Sequence, residues 1–531
     1  MLMESLTEVK SPIFSRNSLI FLGIIGLAGF IIRFFYFPDG IPITLDGSAF
    51  FWYANDLSIS GTFPNNVNVP NNGWPTFLSV FFSIFSSDSF LHYTDIQRYV
   101  TILISIITII PVFILCRKFC GYGLSILGTI FFVFQPRIVE NSLLGLSEPL
   151  FILLMLSCLV LFLQNNWKLK YLSFAFLALA CLVRYEGIVI ILPLSFLFLV
   201  KGRRDKTIIP RFLIAISIFL LVLLPMLFVR IDTLGYDGIF SHSTHAVEVY
   251  SSGEKIFRGG EVLSSLIKST AIAIYPIFFI FLPLGIFGFF RTRNFDKYVV
   301  LSFLVFLSLP IIYTSIREIS EPRYFLILFP IFSLFSIYTV KEIIRKFDKT
   351  KLIPIVVGVT VLSLSIVYLD YTKMDYQHEL DAYHIGLEVH KRTSVINGYP
   401  PEVKYVHGKD DVFWNTGNFP MLQSETERKV KAIRTWDYGT CLEANELETG
   451  CRQYDYTSLN EFIGFGKNEG LTHIVADENP NRAEFLNDVF KNEEKFPYLT
   501  KIYDSSEHDY EYHLKIFRIN YEKFESVKEF N

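Results

Sequence analysis

The sequence is poor in charge. Of its 531 residues, 19% are Asp, Glu, Lys or Arg, while 51% are hydrophobic, and the mean hydropathy is +0.39. A soluble chain of this length carries about 25% charged residues, so long apolar runs are expected and an ordinary soluble enzyme is excluded. The net charge is −3 and no basic stripe is present, so no nucleic-acid partner is expected. Cysteine is also scarce, with six in the chain. Cys116 and Cys120 flank a short loop, and Cys158 and Cys181 lie in apolar runs; neither pair has the companions of a zinc site. Cys441 and Cys451 stand in a polar region and are expected to pair if their compartment is oxidising. A cleavable leader is missing too. The first apolar run is too long for one and has no small-residue cleavage site, so it is read as a retained anchor.

What is present is a series of apolar segments. They run over Ser18–Phe37, Ile96–Leu115, Leu124–Ile138, Leu143–Leu163, Tyr171–Val183, Gly187–Val200, Ile208–Val229, Leu263–Phe290, Tyr298–Ile316, Tyr324–Val340 and Leu352–Leu369. A crossing helix needs ~20 mostly apolar residues, so about eleven spans are expected, a few of them short. Trp74–Phe85 is shorter still and reads as an interfacial or re-entrant helix.

The loops between these segments alternate in charge. Arg117–Lys118, Lys168 with Lys170, Lys201–Lys206, Arg291–Lys297 and Lys341–Lys351 are basic. The positive-inside rule places them in the cytoplasm together with the N-terminus. The opposite loops, and everything after Asp370, are then external. The first external loop, 38–90, contains no Lys or Arg. This partition gives a membrane domain over 1–370 and an external soluble domain over 371–531, in a multi-pass protein of the cell membrane.

Beyond Tyr371 the composition turns to Glu, Lys, Asp, Asn and Tyr. Strands are predicted at Val403–Val406, Thr472–Ala476, Leu499–Tyr503 and His513–Ile519, and helices at Tyr456–Phe465 and Arg482–Phe490. Their interleaving predicts an α/β or α+β domain. The fold class is therefore mainly α: a transmembrane helix bundle followed by this external domain.

The external helix ends gather the ionisable groups: Asp46, Glu140, Glu148, Arg184, Glu186, Arg317, Glu318, Glu321 and Arg323. Charge at membrane depth is costly unless it faces a polar cavity or a partner. Single residues of this kind can also be anchors that meet headgroups. As a set on one face, mixing carboxylates and guanidiniums, they point to a shared polar cavity. A carboxylate there can take a proton from a hydroxyl or hold a metal, and arginine can grip phosphate through its fork of donors. Acid, phosphate grip and lipid-facing groove together suggest sugar transfer from a polyprenyl-phosphate carrier, with Asp46 as base. Capping of the helix that follows is the other reading of Asp46.

Several short motifs carry a resemblance. Asp46 is followed by Trp52-Tyr53-Ala54, and Asn72-Gly73-Trp74-Pro75 closes the loop. Ser147-Glu148-Pro149-Leu150-Phe151, Leu182-Val183-Arg184-Tyr185-Glu186-Gly187 and Glu321-Pro322-Arg323-Tyr324 mark later external ends. Their order and sidedness resemble the GT-C superfamily of polytopic glycosyltransferases, including protein O-mannosyltransferases and related lipid-phosphate-sugar users. The resemblance implies a polyprenyl- or dolichyl-phosphate sugar donor and catalysis by Asp46. It implies a substrate site that includes Tyr53, Glu148, Arg184, Glu186, Arg323 and Tyr324. The acceptor can be a protein, a lipid or a glycan. No organic cofactor is expected, and a divalent metal is left open.

Thr435-Trp436-Asp437-Tyr438-Gly439 is similar to the Trp-Trp-Asp-Tyr-Gly of oligosaccharyltransferases, with Thr435 in place of the first Trp. Core aromatics beside a turn would look the same. Those enzymes also use paired acids around a metal, and Asp46-Gly47-Ser48 lacks the second acid. En bloc glycan transfer to protein is therefore the alternative, with a non-enzymatic transporter as the remaining one.

Overall fold

The computed structural model describes residues 15–41, 43, 46–64, 69–86, 90–239, 241, 259–316, 321–347, 352–373, 376–377, 380–381, 384–385, 458–468, 473–478 and 484–528. Two compact units emerge. One comprises Met1–Phe37, Ala49–Phe85 and Asp95–Lys373; the other comprises Pro38–Ser48, Ser86–Thr94 and Met374–Asn531.

The first unit is helical. Its helices are α1 (Arg16–Phe35), α2 (Asp46–Ser60, whose start belongs to the second unit), α3 (Gly73–Ile84), α4 (Phe90–Ile107), α5 (Ile109–Phe119) and α6 (Tyr122–Val133). They continue with α7 (Pro136–Ser142), α8 (Glu148–Phe162), α9 (Trp167–Val183), α10 (Ile191–Gly202) and α11 (Ile208–Leu234). The last are α12 (Gly259–Ile274), α13 (Ile277–Phe290), α14 (Phe295–Ile316), α15 (Phe329–Phe347) and α16 (Leu352–Tyr371). Single 3-10 turns, Tyr185–Ile190 and Pro322–Leu328, lead into α10 and α15.

Among the described residues seven helices are long and apolar enough to cross a membrane, or nine if each of two bent pairs is one span. The bent pairs are α6 with α7, at 53°, and the Leu263–Ile274 part of α12 with α13, at 107°. The count differs from the expected eleven where apolar runs are interrupted. α8 and α9 have 15 and 17 residues, short of the ~20 that cross ~30 Å of hydrocarbon. α3, 12 residues long, matches the short helix expected at Trp74–Phe85.

Aromatic packing joins the helices. Phe278 meets Phe329 at 5.1 Å and Phe289 meets Phe335 at 4.9 Å, locking α13 to α15. α1 is held by a buried cation: Arg33 donates to Ser142 Oγ (2.9 Å), Gly29 O (2.9 Å), Val133 O (3.3 Å) and Ser105 Oγ (3.1 Å). Dispersing the charge over four neutral acceptors satisfies its donors and ties α1 to α4, α6 and α7.

The second unit holds α17 (Leu459–Asn468), β1 (His473–Asp477), α18 (Glu484–Lys491), β2 (Leu499–Asp504), β3 (Leu514–Ile519) and α19 (Tyr521–Lys528). The sheet is antiparallel in the order β1-β3-β2, an α+β arrangement. Being central, β3 buries both faces: Phe517 and Ile519 join a core with Leu459, Ile463 and Val489, while Leu514 and Ile516 pack with Ile385, Tyr503 and Tyr512. That two-sided burial explains why the alternation legible in the sequence is only partial. The predicted strand at 403–406, Cys441, Cys451, the 435–439 motif, Arg317 and Glu318 lie outside the described residues.

Candidate active-site cleft

At the end of the first unit away from the basic loops, chain breaks place polar side chains together. Glu148 opens α8 with Pro149 behind it; an acid in the first turn complements the helix dipole, and proline there needs no donor. Arg184 is extended (φ −146°, ψ 126°), which ends α9 and starts the 3-10 turn bearing Glu186. Gly187 makes the turn fit, because a Cβ there would lie 3.3 Å from Phe151 and Met155 of α8. Glu321, also extended, precedes the turn that carries Arg323 and Tyr324.

These residues line one cleft: Glu148, Arg184, Glu186, Arg323 and Tyr324 on the polar side, and Phe151, Ile152, Leu307, Pro310, Ile311 and Ile327 on the apolar side. Its empty space is ≈ 410 Å³, counted out to the open mouth. Arg184 is its hub. Nη1 donates to Glu148 Oε1 and Nη2 to Glu186 Oε1, each at 2.7 Å. The three side chains are 17%, 7% and 16% exposed. Arg323 pairs with Glu321. The Tyr324 ring lies 5.7 Å from both guanidiniums. Glu148 Oε2 and Glu186 Oε2 are buried and accept no hydrogen bond from any described residue. The cleft therefore presents two acceptor oxygens that no described residue satisfies, open to a ligand that donates.

Five of the seven residues expected in the site thus meet here. Tyr53 does not line the cleft, but it is linked to it. Asn72 Nδ2 donates to its hydroxyl (3.3 Å), while neighbouring Asn71 Oδ1 accepts from the Tyr185 amide (3.1 Å), next to Arg184. Gly73 permits this approach, since a Cβ would fall 2.5 Å from the Leu182 carbonyl. Asp46, exposed, is the first residue of α2 and belongs with residues 38–48 to the second unit.

Two further residues escaped sequence reasoning. Asn71 stood one place before the motif that was noticed. Arg230 stood one place beyond the apolar run Ile208–Val229. It is 1% exposed, donates to Val69 O at 3.1 Å and stacks on Tyr236 at 5.2 Å. Among the described residues no three His, Cys, Asp or Glu side chains gather as a metal-ligand set.

Solved structures share this fold. The oligosaccharyltransferase of Archaeoglobus fulgidus, in complex with Zn and sulfate, aligns with a TM-score of 0.58 at 11% identity, covering 86% of this chain and 68% of its own. The same archaeal enzyme, AglB, with an inhibitory peptide and a dolichol-phosphate gives 0.55 at 11%, covering 89% and 71%. Tethered to an acceptor peptide containing the NVT sequon, it gives 0.55 at 13%, covering 93% and 73%. At such identity the likeness is one of fold. No curated protein matches the sequence. The family model described as "Predicted membrane protein (DUF2079)" matches residues 83–400, more than half of the chain, and the protein belongs to that family.

Proposed function

We propose that this protein is a membrane glycosyltransferase that moves a sugar from a polyprenyl- or dolichyl-phosphate carrier to an acceptor at the external face. The observation that carries the reading is the cleft, where two glutamates, two arginines and a tyrosine converge beside an apolar wall. Apolar walls suit the isoprenoid of the carrier, and the free glutamate oxygens suit sugar hydroxyls. The archaeal enzyme of the same fold was solved with a dolichol-phosphate, which supports a carrier of this kind. The basic loops at the other end of the bundle support an external position for the cleft.

In this reading Asp46 takes the proton of the acceptor hydroxyl, whose oxygen attacks the anomeric carbon. The bond from that carbon to the phosphate oxygen breaks, and the lipid phosphate leaves with the bonding pair. Asp46 owes its role to the resemblance in the first external loop. Arg184 is committed to two carboxylates, so its role is to position them. Arg323, which pairs with Glu321, lines the same cleft and is the candidate to meet the departing phosphate.

The fold shared with an oligosaccharyltransferase favours one second reading, transfer of a whole glycan to protein. The experiment is incubation of the purified protein in vesicles with polyprenyl-phosphate monosaccharides and a polyprenyl-pyrophosphate oligosaccharide, followed by mass spectrometry of lipid and protein fractions. Release of lipid phosphate with a single sugar transferred supports the proposal. Transfer of the oligosaccharide supports the second reading. No turnover of any donor, with solute uptake into the vesicles, overturns both in favour of a transporter.

A further inference from the structure

The opposite end of the first unit carries a second built feature. Lys118 in the last turn of α5, Lys170 in the first of α9, Lys201 in the last of α10 and Arg211 in the first of α11 surround Trp167 and Asp296. Asp296 is shared by Lys118 Nζ (3.1 Å) and Lys201 Nζ (3.6 Å), and Asp205 holds Arg211 (3.0 Å). Four cations thus face two carboxylates.

Lys170 has neither. It is 3% exposed and makes no hydrogen bond or ion pair with any described residue; its ammonium lies 4.1 Å from the centre of the Trp167 ring. Arg211 lies 4.5 Å from the same ring. Lys201 Nζ is also buried without a hydrogen-bond partner. Asp296 is the carboxylate nearest to Lys170 and is already held by Lys118 and Lys201, so the cluster carries more positive charge than its two carboxylates balance.

We propose that this pocket binds the phosphate of an anionic phospholipid. A phosphodiester supplies the missing charge and acceptors for Lys170 and Lys201. The pocket sits among the basic loops, the side on which anionic lipids concentrate. The lipid source, rather than free phosphate, follows from the apolar surface beside it: Ile209 and Leu213 of α11 and Leu172 of α9 are 57%, 59% and 43% exposed, a path for acyl chains. The site lies at the other ends of α9, α10 and α14 from the cleft and does not depend on the reaction proposed there.

The test uses the full chain in detergent, titrated with phosphatidylglycerol, phosphatidylcholine or inorganic phosphate and read by native mass spectrometry and thermal unfolding. One phosphatidylglycerol should remain bound under activation that strips phosphatidylcholine, and should raise the melting temperature. Lys170→Gln and Lys201→Gln should each weaken it on the order of fivefold. Lys170→Gln should melt within a few degrees of wild type in lipid-free micelles, because it removes one cation–π contact with Trp167 and relieves repulsion among the clustered cations, and this separates lost binding from misfolding. Arg203→Gln, on an exposed residue of the same loop, should change nothing. Equal retention of both lipids, unchanged binding in both lysine variants, or equal stabilisation by inorganic phosphate would each overturn the proposal.

Discussion

Replacing Arg184 by leucine should do more than remove a contact. The arginine makes two 2.7 Å charge-assisted bonds, to Glu148 and Glu186, and these carboxylates are 7% and 16% exposed. Each already has its second oxygen buried without a partner. Without Arg184, two negative charges would be left in the cleft without the cation that pairs with both. Breaking a buried pair from one side costs about 3–5 kcal/mol, because the remaining charge stays desolvated. The partial exposure here argues for the lower part of that range. Arg184→Lys should recover less than half, since one ammonium cannot present a planar fork to two carboxylates on different elements. Adding Glu148→Gln and Glu186→Gln to Arg184→Leu should restore most of the loss, as neutral amides no longer need the cation. Thermal unfolding in detergent at fixed pH reads all three variants. An Arg184→Leu protein as stable as wild type, or a triple variant no better than the single one, would refute the idea that Arg184 is the electrostatic hub of the cleft.

Three other outcomes are expected. Asp46→Asn should lower transfer by at least ~100-fold while costing under ~1 kcal/mol of stability, the scale of a first-turn charge on the helix dipole; transfer within a few-fold of wild type would make Asp46 a structural residue. Gly73→Ala should destabilise by about 1–3 kcal/mol, because its Cβ would fall 2.5 Å from the backbone of Leu182, and wild-type melting would contradict that packing. In the second unit, burial of Asp504 opposes ionisation, but the Ser506 hydroxyl and amide and the Lys501 ammonium more than offset it and lower its pKa. Its stabilising contribution is therefore present above the ordinary Asp value, near pH 4, and is lost as pH falls through the folded value. Hydrogen exchange at the β2–β3 amides should show this loss, and an equal loss in Asp504→Asn would assign it elsewhere.

Much of the cleft was legible because desolvation forces it to be. An apolar run can end only where backbone and charge regain a partner, so Glu148, Arg184, Glu186 and Arg323 announce themselves at run ends on one side. The sequence does not reveal which of them touch. That Arg184 grips both glutamates depends on the start of α8 packing against the end of α9, which Gly187 allows and no periodicity encodes. Arg230 was hidden by its place one residue past an apolar run, where a boundary anchor looks the same as a buried stack on Tyr236. The span count is less legible, because hydropathy does not register the bends between α6 and α7 and between α12 and α13, or the shortness of α8 and α9.

The two ends of α9 show how one helix holds opposite chemistries. At its start Lys170 has no ion pair of its own, the nearby Asp296 being held by Lys118 and Lys201; at its end Arg184 is held by two carboxylates. A chain shaped for stability alone would leave neither an ammonium without an anion nor glutamate oxygens without donors, because each costs more than an apolar residue of similar size. Such departures persist where something outside the chain completes them. The imbalance has opposite sign at the two ends. Spare acceptors in the cleft call for a ligand rich in donors, and spare donors among the basic loops call for a phosphate. A ligand that donates relieves the first imbalance and an anion the second, so the two ends of one helix offer opposite chemistry.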